Sequence, residues 1–332
     1  MPKPRGITDK RIDALLTLLA ENTTIVISGP KIAREIGVTR HTVWRWVEKL
    51  RGLGVNVKGH PHTGYRIEHI PDVLAPRLLS HRLSGCVFGR RIFHFFKTDS
   101  TNTVAMRLGD EGEIHGALVI AEEQSAGRGR AGRTWVSERS AGIHATVLVR
   151  PLVPPVQTPL LTLTAGLAAR EAIAQETGLA PDIRWPNDIL LGGKKVCGIL
   201  TEMRAEPDRV HYAVIGIGIN VNQSKMPDDL AEIATSLRMV TGRQHSRVEL
   251  LVRLLRQLEH YYNVFSSDGA GPILKRFAEV STYCQGKRVL IRTAGETFEG
   301  ITAGLEPNGV LRVRKKDGRI EPVISGDVAE AP

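Results

Sequence analysis

Two segments that interrupt regular secondary structure divide this chain into three stretches and limit how many domains it can form. The first is the segment His69-Ile70-Pro71-Asp72-Val73-Leu74-Ala75-Pro76, where two prolines close together interrupt helices and strands. The second is the Ser/Gly/Pro-rich run at 266–272. Because domains typically hold about 100–200 residues, 332 residues suit two or three of them. We predict three domains, spanning 1–70, 80–282 and 283–332.

The basic charge is concentrated in the first stretch. Residues 1–80 contain 13 Lys/Arg and 7 Asp/Glu, a net charge of +6 out of +10 for the whole chain. This asymmetry favours an anionic partner for that stretch. No run approaches 18 apolar residues, and the N-terminus lacks the apolar core of a secretory signal, so we expect no membrane insertion. Three widely spaced cysteines argue against a disulfide framework or a cysteine-based zinc site and fit a cytoplasmic protein.

The first stretch has the pattern of a winged helix-turn-helix. Apolar residues at helical spacing predict a first helix, with Thr8 as its N-cap: Ile12, Leu15, Leu16 and Leu19. A second helix over about 29–36 is followed by Gly37-Val38, a tight turn, and by Thr39 as the cap of a helix over 40–50. Two short strands at 55–58 and 64–67 follow as the wing.

Such a unit places the start of its second helix in the DNA major groove. The predicted DNA-binding residues point away from the apolar side of that helix or lie on the wing: Arg40, His41, Trp44, Arg45, Lys58 and Arg66. A protein-interaction module is the alternative, since an exposed Trp44 also suits a protein contact. A metal site at His41, His60 and His62 is less plausible than solvated histidines, because no cysteine or carboxylate stands at ligand spacing.

The middle stretch mixes strands and helices. The apolar runs 118–121 and 212–215 predict buried strands, and 158–177 and 247–265 predict helices. The second helix carries one apolar stripe: Val248, Leu251, Leu255, Leu258 and Tyr262. From Gly286 on, short runs at 288–291, 309–313 and 320–324 alternate with turns, which indicates a small antiparallel barrel.

A run from Gln124 to Trp135 has the composition of an anion-binding loop. Three arginines and three glycines fall within residues 127–133, with no acidic residue among them. Glycine lets the backbone approach an anion, and arginine neutralises phosphate with paired donors. The run also matches G-x-G-x-x-G, but a dinucleotide fold needs an apolar helix next, and the sequence instead continues with Arg133-Thr134-Trp135-Val136-Ser137-Glu138-Arg139. A solvated charged loop would leave the alternation of glycine and arginine unexplained.

A second polar cluster is Arg184-Trp185-Pro186-Asn187-Asp188, followed by a Gly192-Gly193 turn and a lysine pair at the start of an apolar strand. A lysine there projects a fixed charge that suits a phosphate or a carboxylate–phosphate anhydride. Lys194 and Lys195 are about equally good candidates, because neighbouring strand residues face opposite ways. Two further clusters are Asp99-Ser100-Thr101-Asn102 and Gly216-Ile217-Gly218-Ile219-Asn220.

These clusters, with Lys-x-x-Gly-Ile-Leu-x-Glu over 195–202, resemble in order and spacing the motifs of the biotin–protein ligases. With the N-terminal unit, the chain resembles the bifunctional form, biotin ligase and biotin operon repressor. The resemblance implies an α+β multidomain fold. A winged helix-turn-helix would precede a central mixed α/β domain like that of class II synthetases and lipoate ligases, and an SH3-like barrel would end the chain.

The resemblance also implies a two-step reaction. Biotin and ATP, with Mg²⁺, give biotinyl-5′-AMP, and biotin is then transferred to a lysine of the biotin carboxyl carrier protein. Biotinyl-5′-AMP would act as co-repressor by favouring a homodimer that binds the operator of biotin genes.

The site residues implied by the resemblance form three sets. The biotin set is Ser100, Thr101, Asn102, Gln124, Arg128, Gly129, Arg130 and Lys195. The nucleotide set is Trp135, Asn187 and Asn220. The catalytic set is Lys195, Arg130 and Asp188, where Asp188 would hold Mg²⁺ or orient the attacking amine. The spacing of Lys195 to Gly198 matches the family motif and selects Lys195 over Lys194. The chain differs from some family members at one loop position, where it has Ala131 and they have arginine.

Alternatives remain at two levels. Ser100 and Thr101 also suit a helix N-cap, Trp185 also suits the core, and Asn220 also suits a turn. The alternative functions are a lipoate or octanoate ligase, a biotin-sensing repressor without catalysis, and a ligase with a vestigial DNA-binding unit. The polar side chains at 100–102 and 124 favour biotin, because a lipoyl dithiolane would prefer an apolar pocket.

Overall fold

The computed structural model of the chain describes residues 10–52, 55–60, 63–67 and 72–331. Within these ranges the elements fall into three groups, which contain a two-stranded, a seven-stranded and a five-stranded sheet. The first group is mostly helical, the second mixed and the last all-β, which confirms the predicted α+β fold class. None of the helices in these ranges combines the length and apolarity that crossing a bilayer requires.

The first group is a winged helix-turn-helix. Its elements are α1 (Lys10–Glu21), α2 (Gly29–Ile36), α3 (Arg40–Gly52), β1 (Val57–His60) and β2 (Gly64–Ile67). Gly37 ends α2 in the left-handed region at φ 72°, and Thr39 Oγ1 accepts a hydrogen bond from Thr42 N to begin α3. These local signals fix the turn, and the apolar stripe of α1 is buried. The predicted cap Thr8 and the wing residue His62 lie outside the described residues.

The central group is built on the seven-stranded sheet. Its elements are α4 (Pro76–Arg82), β3 (Ile92–Phe95), α5 (Thr101–Asp110), β4 (Leu118–Ala121), β5 (Gly142–Val149), α6 (Thr158–Thr177), β6 (Asp182–Arg184), β7 (Asp188–Leu191), β8 (Lys194–Ala205), β9 (Val210–Asn220), α7 (Leu237–Thr241), α8 (Arg247–Asp268) and α9 (Ala270–Val280). The strand order is β3-β4-β5-β9-β8-β7-β6. The pair β3–β4 is parallel and the other pairs are antiparallel, so the sheet is mixed.

The two faces of this sheet differ in the side chains that they carry. In β9, Ile215, Ile217 and Ile219 join the main core, to which α6 and α8 contribute. The alternate residues Gly216 and Gly218 face the side covered by α5. Because strand side chains alternate between faces, the Gly-Ile-Gly-Ile-Asn pattern gives β9 an apolar face and a bare face. Bare strand surface at the centre of a sheet leaves room for a cavity.

Two predicted interruptions are shorter than expected. Pro76 begins α4 instead of ending regular structure, because proline is well suited to the first turn of a helix, where its missing N–H costs nothing. In the 266–272 run, α8 continues to Asp268 and α9 begins at Ala270, so Gly269 alone separates them.

The last group is an antiparallel sheet. Its strands are β10 (Gln285–Arg292), β11 (Thr297–Leu305), β12 (Leu311–Lys315), β13 (Ile320–Val323) and β14 (Asp327–Glu330), in the order β13-β12-β11-β10-β14. The sequence pattern indicated three of these strands and missed β11 and β14. Trp185 Nε1 donates to Gly309 O at 3.0 Å and links this sheet to the central group.

A buried ionic cluster joins the segment after the wing to the central sheet. Arg247, 1 % exposed, donates to Glu122 Oε2 at 2.7 Å and to Asp72 Oδ2 at 3.1 Å. Glu122 Oε1 accepts from Leu74 N at 2.8 Å. Burial alone would raise the pKa of Glu122, but Arg247 and His94 lower it to about 2. The carboxylate therefore stays ionised and paired at neutral pH.

Candidate active site

Two adjoining clefts open on the face of the seven-stranded sheet that α5 covers. The smaller encloses about 470 Å³ and the larger about 1710 Å³. They share Gly129, Arg130, Trp135, Asn187 and Lys195. The smaller cleft also has Ser100, Thr101, Asn102, Gln124 and Arg128, and the larger has Asp188 and Asn220. The structure thus brings together all 12 residues that the sequence nominated for chemistry.

Three glycines line the smaller cleft, where larger residues would not fit. A Cβ on Gly216 would lie 2.1 Å from Asn102 Oδ1. A Cβ on Gly218 would lie 2.5 Å from Trp135 Cε2, and one on Gly198 would lie 2.9 Å from Lys195 Cε. Gly198 and Gly218 are direct partners across β8 and β9. The glycines of the two motifs are therefore needed for close approach of site side chains.

Polar groups of the smaller cleft are arranged by Gln124. Its Oε1 accepts from Thr101 N at 2.8 Å and from Thr101 Oγ1 at 3.1 Å. This fixes the amide and leaves its Nε2 without a hydrogen bond to any described residue. Ser100 stands at the N-cap of α5 and is 3 % exposed, but its hydroxyl makes no capping bond. These donors are available to a polar ligand.

A second layer behind Gln124 contains two residues that the sequence reasoning missed. Ser137 Oγ accepts from Gln124 N at 2.9 Å and lies 2.7 Å from Nε2 of His144, which lines the smaller cleft. Burial, and next the charge of Arg247, lowers the pKa of His144 to about 4, so the imidazole is neutral. The one local signal was a histidine in the mostly apolar strand Gly142–Val149.

The arginine loop folds back on itself over the clefts. Gly129 N donates to Arg133 O at 2.7 Å, and Trp135 N donates to Gly127 O at 2.9 Å. No α-helix follows the glycines before β5, which agrees with the sequence argument against a dinucleotide-binding loop. Ala131 is left-handed at φ 53°, a conformation that is unusual for a residue with a Cβ. The loop is also tied to the last sheet by an ion pair between Arg133 and Asp327.

Lys195 and Lys194 have separate surroundings. Lys195 Nζ lies 2.6 Å from Asp188 Oδ1 and 5.6 Å from the centre of the Trp135 ring, and Lys195 lines both clefts. Lys194 Nζ instead donates to Ala231 O at 2.7 Å. The geometry therefore places the Lys195 ammonium at the boundary of the clefts and keeps that of Lys194 on a backbone carbonyl.

Asp188 is held between two cations. Its second carboxylate oxygen accepts from Arg184 Nη2 at 2.8 Å. Burial alone would raise the pKa of Asp188, but Lys195 and Arg184 together hold it below its ordinary value. Both oxygens are thus engaged, and the described residues contain no group of three His, Cys, Asp or Glu able to hold a metal. A Mg²⁺ ion at Asp188 would therefore need phosphate or water oxygens as its other ligands.

Asn187 and Asn220 support the walls of the larger cleft. Asn187 Oδ1 accepts from Arg130 Nη1 at 3.1 Å, and its Nδ2 donates to Ile199 O at 2.8 Å. Asn220 Nδ2 donates to Thr235 O at 3.0 Å and so fixes the end of a segment that lines this cleft. Trp185 is 3 % exposed and lines neither cleft, which supports its core role.

The nominated DNA-binding residues lie elsewhere, on the winged helix-turn-helix. Arg40, His41, Trp44 and Arg45 are exposed on α3, and Trp44 is 51 % exposed. Lys58 and Arg66 are direct partners across the wing strands. Arg139, four residues after the end of the arginine loop, contacts α3: its Nη2 donates to Gly52 O at 2.6 Å.

Family models match all three groups of elements. The Biotin/lipoate A/B protein ligase family matches residues 95–220. An HTH domain matches residues 11–66, and the Biotin protein ligase C terminal domain matches residues 285–329.

Individual proteins are similar over most of the chain. The Bifunctional ligase/repressor BirA of Bacillus subtilis is 37 % identical over 95 % of this chain and 97 % of its own length. The Biotin--[acetyl-CoA-carboxylase] ligase of Mycobacterium tuberculosis is 34 % identical over 77 % of this chain and 95 % of its own length. The solved biotin protein ligase of Aquifex aeolicus, in complex with biotin and ATP, is 28 % identical and has a TM-score of 0.62, covering 72 % of this chain and 98 % of that one.

Proposed function

The chain belongs to the family of bifunctional biotin ligase/repressor proteins, and we propose that it activates biotin with ATP and transfers it to a lysine of the biotin carboxyl carrier protein. The observation that carries this proposal is the position of Lys195. Its ammonium stands at the boundary of two clefts, and the shared wall also contains Arg130. Two fixed positive charges where the clefts meet suit a reaction between two anionic substrates.

In the first step, biotin occupies the smaller cleft and ATP the larger. The biotin carboxylate is ionised at neutral pH, so the step needs no general base. A carboxylate oxygen forms a bond to the α-phosphorus, and the bond to the bridging oxygen breaks to release pyrophosphate. Lys195 and Arg130 neutralise the charge that gathers between the two anions and hold them in line. The product is biotinyl-5′-AMP.

In the second step, the neutral amine of the carrier lysine attacks the carboxyl carbon of biotinyl-5′-AMP. The bond from that carbon to the phosphate oxygen breaks, AMP leaves, and the nitrogen loses one proton to solvent. Asp188 is ionised at neutral pH, because its cationic neighbours keep its pKa low. Each of its oxygens has one cationic partner and a second lone pair, so Asp188 can still accept a hydrogen bond from the incoming amine and orient it. In this proposal Mg²⁺ would bind together with ATP, through the phosphate oxygens.

The nucleotide site is assigned to Trp135, Asn187 and Asn220. The biotin head is assigned to the polar groups of the smaller cleft: Ser100, Thr101, Asn102, Gln124, Arg128 and Gly129. The Gln124 amide is fixed by Thr101, and the Ser100 hydroxyl makes no capping hydrogen bond. Both support this assignment, because the ureido ring of biotin carries hydrogen-bond donors and acceptors. A lipoyl group would leave these donors unpaired.

The winged helix-turn-helix gives the proposed second activity, repression of biotin genes. We propose that biotinyl-5′-AMP is the co-repressor and promotes a homodimer that binds a palindromic operator. The exposed arginines of α3 and the facing pair Lys58 and Arg66 on the wing support contact with DNA. The three cysteines are free and buried, which suits a reducing cytoplasm.

The intact mass of a carrier domain tests the ligase. We would incubate it with this protein, ATP and Mg²⁺, with biotin or lipoate in parallel, and repeat the reaction with Lys195→Ala. The expected result is a biotin-sized increment that depends on ATP and falls sharply in the variant. An increment with lipoate alone would overturn the substrate assignment. Binding of biotin by folded protein without any increment would leave a sensor that has no ligase activity.

A footprint on the promoters of biotin genes tests the repressor. Protection is expected with biotin and ATP present, and sedimentation should detect a dimer under the same conditions. A biotinylating protein that leaves these promoters unprotected would have a vestigial DNA-binding unit. Biotinyl-5′-AMP that does not change the sedimentation coefficient would remove the dimerisation mechanism.

A further inference from the structure

One carboxylate oxygen joins the helix of the smaller cleft to the arginine loop. Glu202 lies on β8, and its Oε2 accepts from Asn102 Nδ2 at 2.8 Å. The same oxygen accepts from Arg128 Nη2 at 2.7 Å. Asn102 belongs to α5 and Arg128 to the loop, so three segments that are distant in sequence converge on this atom. Glu202 is the last residue of the Lys-x-x-Gly-Ile-Leu-x-Glu motif, and no role in the reaction has yet been given to it.

Most of the hydrogen-bonding capacity of the Asn102 side chain is used by contacts within the protein. Its Nδ2 donates to Leu200 O at 3.1 Å as well as to Glu202, so both amide hydrogens are used. Its Oδ1 accepts from Thr146 Oγ1 at 2.7 Å. A ligand in the cleft can therefore reach only the remaining lone pair of that oxygen. Asn102 depends on Glu202 for its orientation, and Gly216 leaves the space that the amide fills.

Arg128 depends on Glu202 in a different way. Arg128 is the first of the three loop arginines, and its side chain is 44 % exposed. Its ion pair with Glu202 ties the loop to the sheet at one end. Near its other end, the loop is tied by the pair of Arg133 with Asp327. The backbone before Arg128 is held separately, because Ser125 N and Ala126 N donate to Thr98 O and Asp99 O. The pair with Glu202 therefore fixes the Arg128 side chain rather than the whole start of the loop.

We infer that Glu202 is a positioning residue that holds Arg128 over bound biotin and biotinyl-5′-AMP. The inference rests on the proposed function. Removing the charge of Glu202 releases the Arg128 side chain from its position over the smaller cleft, so the ligands leave faster. The chemistry at Lys195 is untouched, because Glu202 lines neither cleft and makes no contact with that lysine.

The test is Glu202→Gln, which keeps an oxygen that can accept from Asn102 but removes the ion pair. We expect the KM for biotin and the release rate of biotinyl-5′-AMP to rise about fivefold, the upper range for an exposed pair, with kcat within about twofold. The matched control is Glu206→Gln. Glu206 lies just beyond the end of β8, pairs with Arg209 and His211, and lines neither cleft, so this variant should behave as the wild type.

The Arg128→Gln background separates positioning from general destabilisation. If Glu202 acts through Arg128, then Glu202→Gln has no further effect on biotin KM in that background. Effects of the two substitutions that multiply, or a kcat loss without a KM change, would overturn the inference. The wild-type enzyme is the baseline: wild-type protein without ligase activity refutes the proposed function, whereas an active wild type with an unchanged Glu202→Gln variant refutes only this inference.

Discussion

Gly218→Ala tests whether the bare face of β9 exists to seat Trp135. A Cβ at this position would lie 2.5, 2.7 and 3.0 Å from Cε2, Cζ2 and Nε1 of the indole. Ordinary carbon contacts are about 3.5–4.0 Å, so the ring must move by about 1 Å. Gly218 is not among the residues with positive φ, so the backbone adds no strain of its own. The whole cost of the substitution falls on Trp135.

The size of the effect follows from the cost of overpacking, about 1–3 kcal/mol. Trp135 is partly exposed and can swing into the larger cleft, so we expect the loss in ATP binding more than in folding. At about 1.4 kcal/mol per tenfold, the KM for ATP should rise between about fivefold and about 150-fold. The assay is biotin-dependent exchange of pyrophosphate into ATP, followed as a function of ATP at saturating biotin.

Gly166→Ala is the matched control. Gly166 lies in α6, where an added Cβ would make ordinary contacts of 3.8 and 3.9 Å with Ile183 and Ile199. We expect unchanged kinetics and a free energy of unfolding that is equal or up to about 1 kcal/mol higher, because alanine favours a helix over glycine. An ATP KM within twofold of the wild type in Gly218→Ala, with normal indole fluorescence, would refute the packing argument.

Three further predictions concern charge. Lys195→Met should slow adenylate formation by about 10²–10³-fold, the usual cost of losing an electrostatic stabiliser. In Lys194→Met the rate of adenylate formation should stay within a few-fold of the wild type, because the Lys194 ammonium donates to Ala231 O. Single-turnover kinetics compares the two variants, and equal losses of rate would contradict the assignment. His144 is neutral when folded, with a pKa of about 4 against 6.5 when unfolded, so its contribution to stability is full above pH 6.5 and is lost as the pH falls towards 4. That loss is about 3 kcal/mol, and urea unfolding of His144→Gln between pH 7 and 4 should lack it. If Arg45 contacts a phosphate, Arg45→Gln should weaken operator binding and reduce the slope of log K against log salt by about one. Fluorescence anisotropy measures the binding constant at each salt concentration, and an unchanged slope would contradict the contact.

Much of the local structure follows from short-range sequence signals. Gly37 and Thr39 specify the turn of the helix-turn-helix, because a left-handed residue and an N-cap act within a few positions. The apolar stripe of α8 and the alternation in β9 likewise reflect helical and strand periods. The missed strands β11 and β14 carry mixed polar residues, so their pairing depends on neighbours in the sheet more than on their own pattern.

The sequence by itself determined the chemical groups of the site, because each motif places a required residue type within a few positions of the turn or strand that presents it. The residue pattern alone left Lys194 and Lys195 equal, and only the resemblance, through the spacing to Gly198, favoured Lys195. The tertiary structure supplied the physical reason, because it shows which face of β8 meets the clefts. It also brought in His144 and Glu202, which act through partners on other segments. Asn102 and Glu202 are 100 positions apart, and contacts over such a distance arise when strands and helices pack, which no local pattern encodes.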